Sequence, residues 1–146
     1  MLDKIGVNAF KIASCDITNY PLLSKVASFN KPILLSTGAA NLVEIKNAIN
    51  VLTKKNKNIP ICIMQCTLSY PTKYSDANLN VFEELKKNFP NYLLGFSDHT
   101  LGWHLPLAAM GFGARIIEKH YTVDKTLPLS ADHWLSIDVD ELKTLC

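Results

Sequence analysis

Three observations predict a parallel α/β fold for this chain. Five short apolar runs recur along it, helical patterns fill the intervals, and the two alternate strictly. The runs are "AFKIAS" (9–14), "PILLS" (32–36), "PICIMQC" (60–66), "YLLGFS" (92–97) and "RIIEKH" (115–120). They are continuously apolar rather than alternating, as in strands buried on both faces. Strict alternation implies a parallel sheet with right-handed crossovers. Five such units exceed what a small open sheet needs and fall short of a closed eight-stranded barrel. The opening residues, "MLDKIGVNAF", read as a helix end leading into a strand. The chain is therefore expected to be the later part of a larger fold.

The first helix is placed near Pro21–Phe29, with Asn19 as cap and Pro21 in the first turn. The second covers Asn41–Lys54, where Leu42, Ile45, Ile49 and Leu52 form one stripe and Asn41 with Glu44 makes a capping box. Leu79, Phe82, Leu85 and Phe89 define a third, and Trp103–Gly111 is a fourth, mostly apolar. Asp138 with Glu141 caps a last helix running to Cys146.

With 146 residues and 48% hydrophobic content, the chain suffices for one domain with a substantial core. Lys plus Arg number 15 against 13 Asp plus Glu, a net charge of +2. That balance points to neither nucleic acid nor a membrane surface as partner. No apolar stretch approaches the roughly 20 residues needed to span a bilayer. The first residues lack the pattern of a signal peptide, so a cytoplasmic location is expected. Cys62 and Cys66 lie four apart on one strand face and read as small buried apolar residues, not as a zinc pair or a disulfide.

Ligands of parallel α/β folds sit at the carboxyl ends of strands. Here those ends carry Ser14, Cys15 and Asp16; Ser36, Thr37 and Gly38; Gln65, Cys66 and Thr67; Ser97, Asp98 and His99; Glu118, Lys119 and His120. Five polar ends together favour a polar small-molecule site. Ser97 and His99 share a side by the period of two, as do Glu118 and His120. Adjacent strands lie roughly 5 Å apart, so two imidazoles at equal height suit one shared metal ion. Two ligands do not close a structural zinc site. They fit an open ion, Mn²⁺ or Mg²⁺, whose other positions take water and substrate oxygens. His104 falls in the fourth helix and is not expected to be a ligand. His133, in "SADHW", is equally compatible with substrate contact and with plain exposure. Lys11, Ser14, Ser36 and Ser97 supply one cation and three hydroxyls, a cradle for a phosphate or carboxylate. Lys11 and Ser14 differ in strand parity, so both serve only if one lies beyond the regular pleat.

The ordered motifs "KIASCDITNYPLL", "KPILLSTGAAN", "QCTLSYPT", "GFSDHTLG" and "IIEKHYTVDKTLP…DH" make the chain resemble the sialic acid synthase family. Its members, N-acetylneuraminate synthase and the pseudaminic and legionaminic acid synthases, condense phosphoenolpyruvate with an N-acetylated amino sugar. The resemblance covers essentially the whole chain. It implies a partial TIM (β/α)₈ barrel, strands four to eight with their helices, as one domain over residues 1–146. It further implies a divalent metal on His99 and His120, and phosphoenolpyruvate held by Lys11, Ser14, Ser36 and Ser97, with Lys11 and both histidines catalytic. Asp16, Tyr70 and Asp132 fall where the family contacts the amino sugar, and the full-length family protein is a homodimer.

Three positions depart from the family pattern. Asp16 stands where many members have Glu, Leu68 where some have Asn or Ser, and "LSA" before Asp132 is one residue longer than in many relatives. The family's first three strands, with a catalytic Glu and a phosphoenolpyruvate-binding Lys, and its antifreeze-like domain are not among these 146 residues. The expectation is thus a fragment of a longer synthase of the N-acetylneuraminate type. Alternatives are a pseudaminic or legionaminic acid synthase, or an inactive half-barrel remnant serving in binding or assembly. Another phosphoenolpyruvate aldol-type synthase fits the two histidines but not the motif order.

Overall fold

The computed structural model describes residues 2–130 and 132–146; Met1, and Ala131 of the longer "LSA" stretch, lie outside them. Five strands follow the predicted runs: β1 Phe10–Ile12, β2 Ile33–Ser36, β3 Ile61–Cys66, β4 Leu93–Asp98 and β5 Ile116–Lys119. Their order in the sheet is that of the sequence. β1 pairs parallel with β2, β2 with β3, and β4 with β5. The helices are α1 Tyr20–Ala27, α2 Leu42–Thr53, α3 Val81–Asn88, α4 His104–Phe112 and α5 Val139–Leu145. Contacts divide the chain into two compact units, residues 1–64 and 65–146.

In the first unit, α1 packs on α2, and Leu23, Ile33, Leu35, Ala48, Leu52 and Ile63 are fully buried. Asn19 Oδ1 accepts from Leu22 N–H, and the Asn41–Glu44 capping box forms as expected. β1 is shorter than its apolar run, because Asp16 N–H bonds back to Ala13 O and turns Ser14–Asp16 into a 3₁₀ helix.

In the second unit, Phe82 of α3 meets Phe96 of β4 edge to face, 6.4 Å between ring centres, with both side chains buried. α4 begins one residue later than read, at His104, whose ring stacks on Trp103 at 4.3 Å. It stops at Gly113, where φ is +108° and a Cβ would come within 2.7 Å of the Lys86 side chain. Asp138 accepts from the Asp140 and Glu141 amides and starts α5, completing its capping box. Cys62 and Cys66 are buried free thiols, and burial pushes the Cys62 thiol up to about 11.

Candidate functional site

The register of β4 against β5 places Ser97 opposite Glu118 and Asp98 opposite Lys119. One residue further along each strand stand His99 and His120, and their ring centroids are 5.3 Å apart at 76°. Tyr70, from the loop after β3, lies 4.1 Å from the His99 ring and 5.9 Å from His120. Asp132 approaches His120, with 3.7 Å from Oδ2 to Nδ1. That distance is longer than a hydrogen bond. Tyr70, His99, His120 and Asp132 therefore form one cluster.

His99 is buried and held on several sides. Its carbonyl accepts from Thr72 N–H at 2.9 Å. Its Nδ1 lies 3.0 Å from Thr67 O and 3.9 Å from Cys66 Sγ. A carbonyl only accepts, so Nδ1 carries the proton, and Nε2 of the neutral ring keeps its lone pair. Burial pushes the imidazole below its ordinary value of 6.5. The Thr67 hydrogen bond opposes this shift, and the neighbouring His120 adds to it. An imidazole fixed through Nδ1–H on a carbonyl is the usual arrangement of a metal-ligating histidine. Among the described residues, no group of three or more His, Cys, Asp or Glu is placed to hold a metal. Two imidazoles alone would suit only an open ion completed by oxygen ligands.

Ser97 Oγ donates to Glu118 Oε1 at 2.7 Å. The hydroxyl therefore keeps only acceptor capacity while that bond stands, and donating to an anion requires releasing Glu118. His133 meets Thr122 Oγ1 at 2.8 Å, which ties the loop after β5.

In the first unit, Ser14 lies beyond the regular pleat of β1, in the 3₁₀ turn, where its Oγ accepts from Gly38 N–H at 2.9 Å. Thr37 Oγ1 donates to Met64 O at 3.0 Å. Ser36 Oγ is buried with no hydrogen-bond partner among the described residues. That hydroxyl, at a strand end, keeps its hydrogen-bonding capacity for a polar ligand. Lys11 and Asp16 both border a cavity of about 380 Å³ between β1 and α1.

The sequence reading missed the Asp98–Lys119 ion pair, 2.7 Å long with side chains 0% and 3% exposed. Its signal was present: one charge directly precedes each histidine, on the opposite strand face. It also missed the Thr67 carbonyl, a backbone group that no residue type announces.

Parallel strands alternating with helices, each strand ending in polar groups, define an α/β domain. The chain belongs to the NeuB family, which it matches over residues 1–146. It is 46% identical to the N,N'-diacetyllegionaminic acid synthase of Campylobacter jejuni, over 100% of this chain and 43% of that protein. Identity to the N-acetylneuraminate-9-phosphate synthase of Mus musculus is 36%, over 99% of this chain and 39% of that protein. The crystal structure of the N-acetylneuraminic acid synthetase of Leptospira borgpetersenii, in complex with citrate, matches with a TM-score of 0.91 at 42% identity. That match covers 99% of this chain and 49% of the other. The chain thus spans less than half the length of these relatives. The motif resemblance and the partial-barrel fold it implied both hold.

Proposed function

We propose that the protein to which this chain belongs condenses phosphoenolpyruvate with an N-acetylated amino sugar, giving a nonulosonic acid and phosphate. The observation that carries this reading is the register-matched pair His99 and His120, with Tyr70 against both rings. A divalent cation, Mn²⁺ or Mg²⁺, fits these two imidazoles, since His99 is held neutral with Nδ1–H already committed. When bound, it supplies Lewis-acid polarisation of the sugar aldehyde.

The chain's own residues do the rest. Thr67 O fixes the His99 tautomer and ring orientation. Tyr70, whose ring lies against both imidazoles, contacts the sugar. In the second unit Asp132, beside His120, accepts from sugar hydroxyls, and Ser97 offers acceptor capacity beside Glu118. In the first unit Ser36 and Ser14 donate to the oxygens of an anion, Lys11 supplies the positive charge, and Asp16 accepts from the sugar. A legionaminic-type sugar is the second reading, supported by the 46% identity to a legionaminic acid synthase. The reading carries with it a cytoplasmic homodimer; among the described residues no helix is long and apolar enough to cross a membrane.

The test is Mn²⁺ titration and phosphoenolpyruvate-dependent phosphate release in the complete enzyme, with and without the double change His99→Ala, His120→Ala. The double variant should lose both high-affinity Mn²⁺ binding and metal-activated turnover. Turnover that still responds to metal would overturn the assignment.

A further inference from the structure

The same register that aligns the imidazoles aligns two charges on the opposite strand face. Asp98 and Lys119 are register partners, and Lys119 Nζ donates to Asp98 Oδ2 at 2.7 Å and to Thr100 O at 2.6 Å. Asp98 in turn accepts from Thr100 N–H at 2.9 Å through Oδ1, and from Thr100 Oγ1 at 3.0 Å through Oδ2. These bonds straddle His99, closing a ring from Asp98 to Thr100 around its backbone. They anchor that ring to the residue immediately before His120. The side chains are 0% and 3% exposed, so the bonds act at low dielectric and water does not compete for them.

A buried ion pair is a poor way to gain stability, because apolar residues of similar volume do as well or better. What it supplies is direction. Parallel pairing of β4 with β5 ends at Asp98 and Lys119. Just beyond it the His99 carbonyl accepts from Thr72 N–H and the His120 carbonyl from Ile137 N–H, but no bond of that ladder joins the two histidines to each other. Cross-strand side-chain bonds take over at that point.

We propose that Asp98 and Lys119 are positioning residues: their ion pair sets the separation of the two strand ends that carry His99 and His120, and so the spacing of the two rings, while Thr67 O orients the His99 ring. The proposal rests on the reading that these two imidazoles work together as metal ligands, and it extends that reading to the opposite face of the sheet. Outer partners that orient metal-ligating histidines typically account for 10- to 100-fold in metal affinity.

The test uses Lys119→Met, and the double change Asp98→Asn with Lys119→Met, which leaves no unpaired buried charge. Asn retains an acceptor for Thr100 N–H, so the double variant stays folded even where the single one does not. Far-ultraviolet circular dichroism and thermal melting check the fold. Imidazole ¹⁵N resonances of His99 and His120 report ring geometry without metal, with His104 and His133 as internal references, and Mn²⁺ titration reports affinity. The expected result for the folded double variant is displaced His99 and His120 resonances, unmoved references, and Mn²⁺ binding weakened at least 10-fold. Native resonances and native Mn²⁺ affinity would overturn the proposal and leave the pair a structural link only. Displaced resonances in a protein whose parent binds no Mn²⁺ would uphold the clamp and overturn the metal reading instead.

Discussion

Replacing Ser36 by Ala is expected to make the protein more stable and a worse binder. The Ser36 side chain lies at the end of β2, 1% exposed, and its Oγ has no partner among the described residues. A buried hydroxyl without a hydrogen bond costs roughly 1–3 kcal/mol of desolvation. Deleting it recovers that penalty and forfeits a few contacts worth about 0.1–0.2 kcal/mol each. The net expectation is a gain of about 1 kcal/mol, seen as a rise in melting temperature of about 2–4 °C for a chain of this size. Ser97→Ala is the matched control. Its hydroxyl donates to Glu118, so its removal should cost about 1.5–3 kcal/mol, the range for a bond to a charged group. Urea unfolding of the three proteins gives the two signs directly, and phosphoenolpyruvate titration of the complete enzyme reads the second half. Ser36→Ala should bind the anion more weakly despite its higher stability. Destabilisation of Ser36→Ala by 1 kcal/mol or more would show that the hydroxyl is satisfied. Higher stability with unchanged anion binding would show that Ser36 serves no anion.

Lys11→Ala in the complete enzyme should raise the KM for phosphoenolpyruvate more than that for the sugar, by about 1.5–3 kcal/mol for a lost charged hydrogen bond; steady-state kinetics with each substrate varied decides it. His99 is pushed below its ordinary 6.5 by burial, so the unfolded chain binds the proton more readily than the folded one. Metal-free stability should therefore fall as pH drops through about 6.5, and His99→Gln should flatten that slope in denaturant titrations taken from pH 8 to pH 5. Alkylation of the native protein at pH 8 should modify the exposed Cys15 and Cys146 and spare the buried Cys62 and Cys66. Mass spectrometry of the labelled chain checks this, and rapid labelling of Cys62 would contradict its burial.

By itself the sequence determined the alternation of strands and helices, because continuous apolar runs and 3.6-residue stripes are local patterns. It determined the caps at Asn19, Asn41 and Asp138 for the same reason, since a cap spans only three or four residues. It also placed His99 and His120 at successive strand ends and on one face, because strand parity is arithmetic on residue numbers. Tertiary structure alone decided what surrounds them. The Thr67 carbonyl that sets the His99 tautomer comes from a loop 32 residues away in sequence. The salt bridge between Asp98 and Lys119 depends on a register that two separate strands choose only when they pair. Ser97 reads in the sequence as a free donor, but its hydroxyl already donates a hydrogen bond to Glu118, 21 residues further on. Hydrogen-bond satisfaction is a property of three-dimensional neighbours, and the residue types within a single run carry no record of it.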